Sequence, residues 1–241
     1  MIRQTVRSEW RHHSARSKVG DRDDYFIANI MLLSDLATVR AAQIILASGS
    51  PRRVEIFNQL LKLDARVVPS TFPEDLDKSQ FTPTGYVMEN AKQKALEVYG
   101  RLVEEGEPAP SLVIGADTVV VLDDRILEKP KSKEAAVATL TDLSGRSHKV
   151  CTGVALVYRG GPADVNVFVE ETEVAFGKLS PEAIQEYVAS GEPMDKAGSY
   201  GIQGFAGAFV SGINGCYHNV VGFPMHRFAS ELDTAKLKPG S

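Results

Sequence analysis

The sequence predicts an α/β fold in which a mixed sheet is flanked by helices, and three observations carry that expectation. Apolar runs of strand type alternate with segments of helical spacing, as Ile44-Ile45-Leu46-Ala47 does with Val54–Leu61. Thr84 to Glu105 has a long amphipathic pattern, with Val87, Ala91, Ala95, Leu96, Val98 and Leu102 on its apolar side. Ser147–Tyr158 and Val165–Phe176 are two long strand-type runs separated only by the turn-prone Arg159-Gly160-Gly161-Pro162. Strands joined in this way pair antiparallel, which makes the sheet mixed.

Taken in order, the chain opens with Arg3, Arg7, Arg11, Arg16 and Lys18 against the single acid Glu9, followed by the apolar patch Tyr25–Leu33. Residues 1–42 are expected to be an N-terminal extension, either disordered or an organelle-targeting segment, because an Arg-rich, acid-poor start has the character of a transit peptide. Ser48-Gly49-Ser50-Pro51-Arg52-Arg53 then forms a strand-to-helix turn. Ser50 suits the N-cap and Pro51 the first helical position, where a missing N–H costs nothing. Free N–H groups, hydroxyls and two guanidinium groups meet there at the positive end of a helix dipole, which reads as a phosphate-type anion site. The plainer alternative is a capped helix start with solvated arginines.

Asp64 to Pro69 follows as a second short strand, and Glu74-Asp75-Leu76-Asp77 as an acidic loop. Pro83 starts the long helix, on which Lys92 and Lys94 point to different faces, so one of them at most reaches a given site. The break at residues 106–110 leads into the buried-type strand Leu112–Gly115, which delivers Ala116-Asp117-Thr118 and continues through Val119–Leu122. An ionised carboxylate in an apolar strand costs several kcal/mol unless it is paired, protonated or bound to a cation. Asp117 is therefore either a structural cap or, beside an anion site, a metal ligand or general base. Asp123-Asp124 turns the chain back through Arg125–Leu127, and Lys129, preceding Pro130, is expected to be extended.

A helix from Ser132 to Leu143 stops at Gly145, and His148 is expected to be structural. Ser180-Pro181 begins another helix, running to about Ala189. Asp195–Gly204 is dense in glycine, which lets backbone approach a ligand closely. The remainder, through Phe209-Val210 and Asn219–Pro224, reads as a strand and a final helix starting at Pro224.

Composition narrows the function. The formal net charge of −4 gives no global reason for a nucleic-acid or membrane partner. Only Cys151 and Cys216 are present, without the spacing of a zinc site or a disulfide framework, which suits a reducing cytoplasm. Neither a G-x-x-x-x-G-K-[ST] loop nor a G-x-G-x-x-G fingerprint occurs, which disfavours kinase, GTPase and dinucleotide-binding readings.

Six stretches stand in register: Ser48–Arg53, Ala91-Lys92-Gln93-Lys94-Ala95, Gly115–Thr118, Glu128-Lys129-Pro130, Leu143-Ser144-Gly145, and Asp195–Gly198 with Gly201–Gly204. Together they resemble the Maf family of nucleoside triphosphate pyrophosphatases. The resemblance spans about residues 43–230 and implies a family domain at 43–232 with a tail at 233–241. It further implies an elongated mixed sheet like that of inosine triphosphate pyrophosphatase, two lobes around a central cleft, a homodimer, and a divalent cation, Mg²⁺ or Mn²⁺. The family's phosphate-binding residues fall on Ser50, Arg52 and Arg53, and its catalytic residues on Asp117, Glu74, Lys94 and Lys129, with Asp117 and Glu74 as metal ligands. Glu74 competes with Asp75 and Asp77 for its role. Specificity positions fall on Arg52, Thr118 and Gln203, and the pair Thr118 and Gln203 resembles the subfamily acting on dTTP and UTP rather than the one preferring 7-methyl-GTP. The activity implied is hydrolysis of dTTP and UTP, with CTP or modified pyrimidine triphosphates open, in a cytoplasmic housekeeping role. The alternative, a non-catalytic nucleotide-binding regulator linked to cell division, would have no need to keep Asp117, Lys94 and Lys129.

Overall fold

In a computed structural model of the chain, residues 35–238 are described. The expectation of a disordered or targeting extension therefore lies, for residues 1–34, outside the described residues. The regular elements are α1 (Leu36–Ala41), β1 (Ile44–Leu46), α2 (Pro51–Glu55), β2 (Arg66–Val67), α3 (Pro83–Glu104), β3 (Leu112–Leu122) and β4 (Arg125–Leu127). After them come α4 (Lys133–Leu143), β5 (Ser147–Tyr158), β6 (Val165–Phe176), α5 (Pro181–Ala189), β7 (Val210–Asn214), α6 (Tyr217–Val221) and α7 (Met225–Glu231). The strands form one seven-stranded sheet in the order β2-β1-β3-β5-β6-β7, with β4 paired to β3. β1 runs parallel to β2 and β3 and the other pairs are antiparallel, so the sheet is mixed.

Local chemistry sets most boundaries. The hydroxyls of Thr82, Ser132 and Ser180 accept hydrogen bonds from the N–H groups of Gly85, Ala135 and Ala183, capping α3, α4 and α5. Asp123 and Asp124, with φ of 49° and 60°, make the two-residue turn whose twist suits a hairpin between β3 and β4.

Four expectations need adjusting. Ser50 holds the N-cap position, but its side chain makes no capping bond; the Ser50 N–H is turned back to Ser48 Oγ at 3.3 Å instead. The helix after it is α-helical only to Glu55 and continues as a π-helical turn over Ile56–Leu60. Asp64–Pro69 yields only the two-residue β2. Asn219–Val221 is helical, because buried Asn219 donates Nδ2 to Val150 O and to Thr172 Oγ1, each at 3.0 Å, and so fixes α6 across the sheet. Separately, a 3₁₀ turn at Thr234–Leu237 buries Leu237, and Thr234 Oγ1 donates to Asp35 Oδ2 at 2.6 Å.

Alternation along β3 organises the two faces of the sheet. Val113, Val119 and Val121 face α3, packing with Ala91, Ala95 and Val98 or with Tyr86 and Val87. On the opposite face, Leu112, Ile114 and Ala116 join one cluster with Phe57, Phe223 and Phe228, while Val120 and Leu122 join another with α4, α5 and Phe209. These clusters are the cores of two lobes on the same face. Between them the apolar row is interrupted by Thr118 and its β5 partner Thr152, whose hydroxyls meet at 2.9 Å.

The edge of β3 away from β5 is also interrupted. β1 covers it at Leu112–Ile114 and β4 at Val120–Leu122. Among the described residues no strand pairs with 115–119 on that side. Side chains from both faces of β3 can therefore reach one space.

Candidate active site

That space is a cleft of about 550 Å³ between the lobes, and it is lined by all nine residues singled out from the sequence: Ser50, Arg52, Arg53, Glu74, Lys94, Asp117, Thr118, Lys129 and Gln203. Lys129 and Gln203 line it as exposed side chains.

On the α3 face, Asp117 is 7% exposed and held at both oxygens. Lys94 Nζ donates to Oδ1 at 2.8 Å and Asn90 Nδ2 to Oδ2 at 3.2 Å. Lys94 also reaches Glu74 Oε1 at 2.9 Å, so one ammonium draws two carboxylates together. The helix can come this close because Gly115 and Gly153, flanking and opposite Asp117, present no Cβ; one built at Gly115 would lie 2.1 Å from Ala91 O, and one at Gly153 2.3 Å from Val87 O.

On the other face, Arg53 ties the turn to the sheet. Its Nε donates to Gly222 O at 2.9 Å, Nη1 to Ser48 Oγ and Ala116 O at 3.0 Å each, and Nη2 to Thr118 Oγ1 at 3.0 Å. Burial pulls its pKa below the ordinary arginine value, while the nearby charges of Asp117 and Glu74 act in the opposite sense. Arg52 instead reaches the far lobe, meeting Asp195 Oδ2 at 3.3 Å. Asp195 is shared with Lys196 at 2.6 Å.

The sequence reading missed Asn90, Tyr86 and the Asp195–Lys196 pair as members of the site. Asn90 carried one signal, its place four residues before Lys94 on the same helix face. Tyr86 donates its hydroxyl to Glu128 Oε1 at 3.2 Å on the cleft wall. His148 does not line the cleft. It is buried, shares a 2.8 Å hydrogen bond with Tyr200, and burial lowers its pKa to about 4.

The site is thus an interlobe cleft of an α/β protein, with cations and paired carboxylates gathered at an interrupted strand edge. The chain is a member of the Maf-like protein family, whose pattern it matches over residues 43–235. It is 47% identical over 191 residues to the dTTP/UTP pyrophosphatase of Clostridium perfringens strain 13, covering 79% of this chain and 96% of that one. It is 48% identical over 182 residues to the dTTP/UTP pyrophosphatase of Thermococcus onnurineus, covering 76% and 92%. A human protein described as a probable bifunctional dTTP/UTP pyrophosphatase/methyltransferase is 52% identical over 196 residues, 79% of this chain but only 31% of that protein's length. Among solved structures, a HAM1 protein from Coxiella burnetii aligns at a TM-score of 0.41 and 17% identity, over 67% of this chain and 88% of that one.

Proposed function

We propose that this chain hydrolyses dTTP and UTP between the α- and β-phosphates, giving the nucleoside monophosphate and pyrophosphate. The observation that carries the proposal is the convergence of Asp117 and Glu74 on Lys94 inside a cleft walled by Arg52 and Arg53. The clostridial and archaeal relatives support the pyrimidine substrates.

In this reading Asp117 takes the proton of a water that attacks the α-phosphorus. Its two donors fix the carboxylate plane, and each oxygen keeps a second lone pair for that work. The P–O bond to the β-phosphate breaks, and Arg52, Lys94 and Lys129 meet the charge gathering on the pyrophosphate. Arg53, with four of its five N–H donors engaged by protein oxygens, holds the Ser48–Arg53 turn against β3. Thr118 and Gln203 read the base, the amide offering both a donor and an acceptor to a pyrimidine edge.

The donor set suits a divalent cation of the magnesium type. Asp117 and Glu74 each place one hard oxygen on Lys94 Nζ, and a cation beside them would be held by their remaining lone pairs together with substrate phosphates, as Mg²⁺ commonly is by one or two carboxylates. Among the described residues no group of three or more His, Cys, Asp or Glu side chains converges. When bound, such a cation would neutralise phosphate charge. A homodimer working in the cytoplasm on free nucleotides completes the proposal.

The test is a panel of nucleoside triphosphates with Mg²⁺ or Mn²⁺ and chromatographic identification of products. Monophosphate plus pyrophosphate from dTTP and UTP is expected, with activity abolished by EDTA. Orthophosphate release, or binding without product, would overturn the assignment, the latter in favour of a nucleotide-binding regulator.

A further inference from the structure

Glu74 sits on a stretch without regular structure between β2 and a 3₁₀ turn at Lys78–Gln80, and its carboxylate is half exposed. Something other than burial must place it 2.9 Å from Lys94. One turn along α3 from Lys94, Glu97 grips the start of that stretch with both oxygens. Oε2 accepts from Ser70 Oγ at 2.7 Å and from the Thr71 N–H at 3.0 Å, and Oε1 accepts from Thr71 Oγ1 at 3.0 Å. Arg101, at i+4 on the same helix, donates Nε to Glu97 Oε1 at 2.7 Å and Nη2 to Pro69 O at 3.0 Å. Ser70 Oγ passes the hold on by accepting from the Phe72 N–H at 3.1 Å. Burial works to raise the Glu97 pKa, but the donors from Arg101, Ser70 and Thr71 outweigh it and hold the carboxyl at about 2, so it is ionised at neutral pH.

We propose that Glu97 is a positioning residue: by clamping Ser70 and Thr71 to α3 it sets the loop that presents Glu74 to Lys94 and Asp117. Helix α3 thus carries Asn90, Lys94 and Glu97 at successive turns, and one rigid element fixes both carboxylates of the site. Such indirect partners typically contribute about 10–100-fold to a site's affinity or activity. The proposal rests on the role given to Glu74 above.

The experiment is hydrogen–deuterium exchange and kinetics on Glu97→Ala, with Thr71→Val as a variant that loosens the grip without touching the helix. Exchange across residues 71–77 is expected to accelerate about tenfold or more in both, with α3 unchanged. In a kinetic cycle with Glu74→Ala, Glu97→Ala should reduce kcat/KM as far as Glu74→Ala does, and the double variant should fall no further. Unchanged exchange in both variants, or losses that multiply in the double variant, would overturn the proposal. If Glu74→Ala alone keeps full activity, the role of Glu74 fails, while the exchange result still decides whether Glu97 clamps the loop.

Discussion

Asp117 has a donor on each oxygen and little contact with water, so its replacement by Asn keeps the shape and removes the charge that Lys94 faces. Asp117→Asn is expected to fold and to lose at least about 100-fold in kcat, the usual size of a general-base contribution; near-wild-type turnover would remove Asp117 from the chemistry. His148 bears on stability rather than catalysis. Its folded pKa of about 4 lies below the ordinary 6.5, so between those values the unfolded chain binds a proton that the folded one does not. This stability is present above pH 6.5 and is lost as pH falls toward 4, about 2 kcal/mol of it by pH 5. Urea unfolding at pH 7 and pH 5 should show a difference for the native chain that shrinks by that amount in His148→Leu. At this scale much of the site was legible. Asp117 stood out as a carboxylate in an apolar strand, and the arginines as charges at a helix start. Asn90, Glu97 and Asp195 did not, because an amide or a carboxylate on a polar helix face or a loop looks the same whether it meets water or a partner distant in sequence.

At the scale of elements, the contact between α3 and the sheet decides whether Lys94 and Asn90 reach Asp117. Gly115→Ala would put a methyl carbon 2.1 Å from Ala91 O, backbone that cannot step aside unless the helix moves. A loss of about 1–3 kcal/mol in unfolding free energy is expected, together with a fall in kcat as the donors draw back from Asp117. Stability lost with turnover intact would show that the spacing is not needed for catalysis. The long elements could be predicted because their periods are distinct and their ends carry Thr-Pro, Ser-Pro and Gly signals. α6 and the π turn after α2 could not. A run as short as the five residues of α6 supports strand and helix equally, and the choice falls to Asn219, whose partners on β5 and β6 no local pattern reveals.

For the molecule as a whole, the ion pair from Arg52 to Asp195 joins the two lobes across the cleft. Both groups are partly exposed, with side chains 27% and 62% accessible, so the pair adds less than about 1 kcal/mol to stability. Its effect should appear in binding, because in the proposed reaction Arg52 would exchange Asp195 for a phosphate oxygen. Asp195→Asn is expected to leave the melting temperature within a few degrees and to lower KM for the triphosphate; a raised KM would mean that Asp195 helps to seat the substrate. The lobes and cleft were foreseen only through the gathering of motifs, since periodicity says which segments are strands but not which of them leave an edge uncovered.

That uncovered edge gives neighbouring residues different tasks. Asp117 serves the α3 side and Thr118 the side between the lobes, one peptide apart, with their sides set by the alternation of β3 alone. Inserting or deleting one residue in β3 ahead of Asp117 would turn the carboxylate toward Arg53 and the Thr118 hydroxyl toward Lys94, while leaving the composition of the cleft almost the same. A change of length in β3 would therefore exchange the two sides of the cleft at a stroke, whereas a change of side chain at 117 or at 118 falls on one side only.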